Sequence, residues 1–247
     1  MSNELMIAAV DVGKYDNLGL SCNIDNNICK KTFIDDFIKR LNKLKRGVLA
    51  IEGPLFIPSD NFSDIACSRK GIKGKDKCDY KIDLVDGMSR PWSMSASFHC
   101  AVQFLSIFYS KFTTETQVFT DYQEFIKGGE GILICEAFIS GGRPDLKGKE
   151  REHYIKKWYD DKKINRHNHD AECAVKLLDN LFSGIIEPEI IMCSKYLNLP
   201  SVLLRENFNL KFCGDPKSGI IIKSPKPCFL SDKGKTSEQE IIELFFK

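Results

Sequence analysis

The 247-residue chain is 43% hydrophobic and 28% charged, which supplies enough apolar material for a sizeable core and excludes a disordered chain. Its net charge of +2 is too near neutral to argue by itself for a nucleic-acid partner. Met-Ser-Asn-Glu-Leu at the start carries no basic region, and Ile7 to Val12 is too short for a signal core or membrane span, so no membrane association is expected. The 10 cysteines are scattered without a Cys-x-x-Cys pair, and Cys100, Cys135 and Cys173 fall inside apolar segments, where a thiol acts as a small hydrophobe. A reduced, cytoplasmic protein is the expectation.

Met6-Ile-Ala-Ala-Val-Asp-Val12 is an apolar run bounded by Gly13 and predicts a buried strand that delivers Asp11 into a turn. A carboxylate at the end of such a strand is costly unless positive charge sits against it. Leu18 to Ile24 and Ile28 to Phe33 predict two more strands, with Asp25-Asn-Asn27 as the turn of a meander. Ile34, Phe37, Ile38, Leu41 and Leu44 recur at helical spacing, and the helix is expected to end at Gly47. Val48 to Pro58 predicts a fourth strand, interrupted by Glu52 and the following Gly53-Pro54.

Residues 59–92 change character, with Arg69, Lys70, Lys73, Lys75, Lys77, Lys81 and Arg90 set among Asp76, Asp79, Asp83 and Asp86. This predicts an insertion beyond the fourth strand, either a solvated loop or a basic lip against phosphates. Ser93 to Phe112 is helical in pattern, with Phe98, Val102, Leu105, Tyr109 and Phe112 on one face, widened by Ala101, Phe104 and Ile107. Gln117 to Phe119 and Gly131 to Phe138 predict strands, the second carrying Glu136. Ser140-Gly-Gly-Arg-Pro144 is a loop, and Lys149 to Lys162 a charged helix held by Ile155, Trp158 and Tyr159.

His167-Asn-His-Asp-Ala-Glu172 opens a helix with Ala171, Ala174, Val175, Leu178, Leu181 and Phe182 inward and Gly184 at its end. Asp170 is expected at or just before the first turn, as an N-cap or a ligand. Beyond it, Ser201 to Arg205 and Ile220 to Lys223 predict strands, Pro225 and Pro227 an edge or exit. Ser237-Glu-Gln-Glu240 is a capping box ahead of an apolar C-terminal helix, a surface that fits a homo-oligomer or protein partner. The expected division is a core over 1–184 and a C-terminal extension over 185–247 packed on it.

Four acids, Asp11, Glu52, Glu136 and Asp170, thus stand at strand ends and a helix start. Hard divalent cations such as Mg²⁺ take carboxylate oxygens, and two of them a few ångströms apart activate water and stabilise a leaving alkoxide. Zinc is disfavoured: Cys67, Cys78, His99 and Cys100 are irregularly spaced, and His99 and Cys100 are expected in a helix core. His167-Asn-His169 lacks the further histidines that a His-x-His site needs.

On Val10-Asp-Val-Gly13, Ala50-Ile-Glu-Gly-Pro-Leu-Phe-Ile-Pro58, Cys135-Glu-Ala-Phe138 and His169-Asp-Ala-Glu-Cys-Ala174, the chain resembles the DUF429 family of predicted nucleases, on the RuvC side of the ribonuclease H-like superfamily. The resemblance spans residues 5 to about 183. It implies an α/β ribonuclease H-like fold with a mixed central sheet in β-β-β-α-β-α order, flanked by helices. It implies Asp11, Glu52 and Asp170 as Mg²⁺- or Mn²⁺-binding acids, Glu136 as a fourth catalytic acid, and nucleic acid, DNA or RNA, as partner. Glu52 stands where the family often has Asp. Lys14, Arg69, Arg143 and His169 are the candidates for substrate contact. The implied activity is two-metal hydrolysis of phosphodiester bonds. A non-catalytic nucleic-acid or protein binding module and an actin-like ATP-dependent phosphotransferase are the alternatives.

Overall fold

A computed structural model describes residues 5–12, 18–23, 32–53, 55–58, 91–138, 166–184, 190–192, 196–204, 209–216 and 219–223. In chain order the strands are β1 (Met6–Val12), β2 (Leu18–Cys22), β3 (Arg46–Glu52), β4 (Phe56–Pro58), β5 (Thr116–Phe119), β6 (Gly131–Phe138), β7 (Ile190–Met192), β8 (Tyr196–Asn198), β9 (Leu210–Cys213) and β10 (Ile220–Lys223). The helices are α1 (Phe33–Leu44), α2 (Pro91–Ser110), α3 (Tyr122–Gly128), α4 (Arg166–Phe182) and α5 (Leu199–Leu203). No helix among these residues is long and apolar enough to cross a membrane.

β1, β3 and β6 are apolar on both faces, as strands covered by helices on each side must be. They run parallel and adjacent, with Asp11 opposite Glu52 and Ile51 opposite Glu136 at their carboxyl ends. β2 adds antiparallel to β1, Asp11 facing Gly19. Beyond β6 the sheet forks: β5 pairs with its first half and β10 with its last residues, both parallel. β9 extends the β5 branch, and β7 the β10 branch. The result is an α/β protein with one eight-stranded, mixed and mostly parallel sheet; β4 and β8 form a second, two-stranded one. Three strands from beyond residue 184 therefore complete the main sheet instead of merely packing on it.

Strand alternation divides the core into two layers. Met6, Ala8, Val10, Leu49, Ile51, Ile132 and Ile134 point to the side of α1 and α2, where Phe33, Phe37, Phe104 and Phe108 meet them. Ile7, Ala9, Val48, Ala50, Leu133 and Cys135 point to the side of α3 and α4. α4 presents Ala171, Ala174, Val175, Leu178 and Leu181 to that side, as its 3.6-residue spacing predicts.

Several elements differ from the sequence-based expectation. α1 stops at Leu44 because Lys45 takes a left-handed turn, φ 65°, and returns its N–H to the Leu41 carbonyl; Gly47 already belongs to β3. Phe33, expected in a third strand, is the first residue of α1, while residues 28–31 lie outside the described set. The fourth predicted strand breaks after Glu52, and Phe56–Pro58 pairs instead with β8. Ile107 is 53% exposed and His99 is exposed, because the buried stripe of α2 runs through Ala101, Leu105, Phe108 and Tyr109 on the other side. Asp121, whose carboxylate accepts from the Gln123 and Glu124 N–H groups, starts the unforeseen α3.

Ser201 to Leu204, expected as strand, is helical. Asn198 caps α5 through the Ser201 N–H and Pro200 sits at its start, a local signal stronger than the β-branched Val202. Of the predicted insertion 59–92, residues 91 and 92 already belong to α2, and 59–90 lie outside the described residues, as do the loop 140–144, the helix 149–162, Pro225, Pro227 and the C-terminal capping box.

Candidate metal centre

The carboxyl ends of β1 and β3 sit side by side, and each presents an acid to the α4 side. Asp11 and Glu52 are register partners, so their side chains share a face one strand spacing apart. Asp170 comes down onto them from the second turn of α4, beyond the N-cap position that was its alternative reading. One carboxylate oxygen from each of the three lies within 4.8 Å of the other two. Asp11 is 6% exposed and Asp170 3%, while Glu52 is partly buried.

What brings α4 so close is the smallness of the surfaces between it and the sheet. Ala9, Ala50 and Cys135 face Ala171, Cys173 and Ala174 in that layer. At β2 the approach is closer still, since a Cβ added at Gly19 would overlap the backbone carbonyl of His167. Gly19 is also the register partner of Asp11. The first turn of α4 therefore lies directly across β2 from the Asp11 position, and His167 Nδ1 reaches Asp11 Oδ2 at 2.8 Å. A carboxylate accepts only, so Nδ1–H donates in this contact and the imidazole fixes the orientation of the Asp11 carboxylate. Asn168 Oδ1, one residue on, is buried without a hydrogen-bond partner among the described residues, an oxygen acceptor on the same turn.

The electrostatics favour a cation here. Two full negative charges 4.8 Å apart repel by about 3.5 kcal/mol at an effective dielectric of about 20. A third acid adds to that repulsion, and the imidazole beside Asp11 offsets part of it. The donors are hard oxygens, which suit Mg²⁺, Mn²⁺ or Ca²⁺ and not a thiophilic ion. Oxygens on opposite sides of a Mg²⁺ ion stand about 4.2 Å apart, so small side-chain rotations close this triangle onto one ion. The residues present fit a hard divalent cation.

Glu136 stands apart from this group. Its partner on β3 is Ile51, whose side chain points to the α1 and α2 side, so Glu136 lies on the face opposite Glu52. There it is fully buried and its Oε2 accepts from the Leu55 N–H at 3.0 Å. Burial pushes the neighbouring Cys135 thiol well above its ordinary range, and the charge of Glu136 adds to the shift. Lys14, Arg69, Arg143 and the side chain of His169 lie outside the described residues. Sequence reasoning passed over His167 as a partner of Asp11. The signal was there: His167 and Asp170 are three apart on one helix and share a face, which His169 and Asp170 do not.

Compared with protein-family models, with curated proteins and with solved structures, the chain gives no match.

Proposed function

We propose that this chain is a divalent-cation-dependent nuclease of the ribonuclease H-like class, resembling the DUF429 family, with Asp11, Glu52 and Asp170 as its cation-binding acids. The observation that carries the reading is the convergence of three carboxylates, from two adjacent parallel strands and the helix packed over them, within 4.8 Å. The position agrees with a general rule for α/β sheets, whose ligands bind outside the carboxyl ends of the strands. The mixed sheet between helix layers supports the fold assignment.

Mg²⁺ or Mn²⁺ bound there supplies an activated water and neutralises charge on a phosphodiester. The chain's own contribution is rigidity. Asp11 and Glu52 are mounted on strands whose neighbours Val10 and Ile51 are buried, and Asp170 on a helix anchored by Ala171 and Ala174. His167 holds the Asp11 carboxylate in one orientation. Such mounting keeps ligands in place when the ion exchanges or substrate enters.

The test is cleavage of single-stranded, duplex and branched DNA, RNA and hybrids by purified protein with Mg²⁺ or Mn²⁺. Cleavage that chelator removes, and that Asp11→Asn abolishes while circular dichroism is unchanged, is the expected result. No cleavage of any substrate overturns the nuclease reading. Nucleic-acid binding that survives both chelator and Asp11→Asn would replace it with a non-catalytic binding module, and saturable ATP turnover with a phosphotransferase.

A further inference from the structure

Glu136 is a fully buried acid on the face of the sheet that the three carboxylates do not use. Its partner in sequence terms is distant: Oε2 accepts the N–H of Leu55, which follows Glu52 by three residues. We infer that Glu136 is a positioning residue for Glu52, holding the chain where it leaves β3 so that the Glu52 carboxylate stays beside Asp11 and Asp170; the inference rests on the cation-binding reading above.

Asp11 opposite Glu52 is the last pair of the β1–β3 ladder, and Ile51 opposite Glu136 the last of the β3–β6 ladder. Glu52 is therefore the terminal residue of its strand, with its ladder neighbours on the amino side. The chain then leaves the main sheet, since β4 pairs, among the described residues, with β8. Where it goes sets the backbone dihedrals of Glu52 and thus the direction of its side chain.

That exit is tied at one residue from two sides. Leu55 gives its N–H to Glu136 and takes the N–H of Leu199 on its carbonyl at 2.9 Å. Leu199 opens α5, whose Asn198 cap also donates from Nδ2 to Thr120 Oγ1 at 2.8 Å, and the Thr120 carbonyl accepts the Ile220 N–H. The exit from β3 is thereby connected to β6, α5 and the start of β10. Leu55 and Phe56 are buried to within 1%, so this junction has no slack to absorb a shift. A carboxylate in this place is a stronger acceptor than a neutral group, at the cost of burying its charge. That is the choice expected where one backbone N–H must be held firmly.

The experiment compares Glu136→Met, which removes the acceptor at similar volume, Glu136→Gln, which keeps an oxygen acceptor, and Asp170→Asn, which alters a ligand directly. Mn²⁺ affinity is read by calorimetry or by the electron paramagnetic resonance of free Mn²⁺, amide hydrogen exchange around Leu55 by mass spectrometry, and folding by thermal melting. Glu136→Met is expected to speed exchange at the Leu55 segment and to weaken Mn²⁺ binding by about 10- to 100-fold, the range seen when residues behind a ligand are removed. Glu136→Gln is expected to keep both close to wild type, and Asp170→Asn to abolish binding without changing exchange at Leu55.

Loss of binding in Glu136→Gln as deep as in Asp170→Asn, with exchange unchanged, makes Glu136 a direct ligand and overturns the inference. Faster exchange in Glu136→Met with unaltered Mn²⁺ affinity overturns it too, since the tie then does not reach Glu52. Should Glu136→Met fail to fold, Glu136→Asn, which keeps a polar group but is one methylene too short to hold the Leu55 N–H, takes its place with the same expected and overturning results. Wild-type protein that takes up no Mn²⁺ refutes the cation site itself, and the positioning role falls with it.

Discussion

The two faces of the sheet are built from alternate residues of the same strands, yet beside the acids they are filled differently. On the α1 and α2 side the filling is aromatic. The Phe108 ring lies 5.5 Å from that of Phe37, 5.0 Å from Phe112 and 6.2 Å from Phe104. On the α4 side the rings of Phe119, Phe125 and Phe182 gather at the α3 end, whereas beside the acids alanines and cysteines face alanines and cysteines, and a glycine admits the helix backbone. Large rings hold a helix away from a sheet; small residues let it settle close. Because Asp170 rides on α4, only the second kind of packing brings a helical carboxylate within reach of two strand carboxylates. One face carries the larger apolar burial, and the other carries the candidate chemistry.

If that division is right, the faces break separately. Phe108→Ala empties the aromatic layer and is expected to cost about 3–5 kcal/mol of stability, measured by urea unfolding, with Mn²⁺ affinity of the folded protein unchanged. Parallel loss of affinity would mean that the two layers do not act independently. Gly19→Ala inserts a methyl group where His167 passes. The expected cost is about 1–3 kcal/mol, and here Mn²⁺ affinity should fall with it, because α4 carries both His167 and Asp170. A destabilised Gly19→Ala that binds Mn²⁺ normally would show that the close approach does not set the site.

The smallest expected effect concerns pH. Burial pushes up a group on each face: Cys135 on the α4 side from its ordinary 9.0, and Tyr109 on the other from its ordinary 10.0. In both, the folded state keeps its proton to higher pH than the unfolded state does. Their contribution to stability is therefore complete below about pH 9 and declines as pH rises past the unfolded values. The urea midpoint should fall between pH 8 and 10.5, beginning near 9 with the thiol, and Cys135→Ala should blunt the first part of that fall. A flat midpoint in wild type would mean that neither group is kept protonated by the fold.

Much of this was readable in the chain. The apolar runs around Asp11, Glu52 and Glu136 marked buried strands because no polar alternation interrupts them, and the 3.6-residue pattern of Ala171, Ala174, Val175 and Leu178 marked α4. Asp11, Glu52 and Asp170 stood out as acids where apolar elements end. The misreadings have local causes. Ser201 to Arg205 resembles a strand until the Asn198 cap and Pro200 are weighed, and Asp121 was not read as the start of α3. His169 drew attention through its place next to Asp170, although helical geometry favours the residue three back.

The sequence by itself determined which segments are buried, which elements carry acids, and that those acids are oxygen donors suited to a hard cation. The sheet decided which acids meet. Alternation along one strand says that Glu136 and Cys135 face opposite ways, but only the register against β3 tells which of them shares a face with Glu52. A one-residue slip would exchange the two. Glu136 thus became the hold on Leu55, and Asp11, Glu52 and Asp170 became one site, because strand pairing and helix approach are relations between distant segments that no single segment encodes.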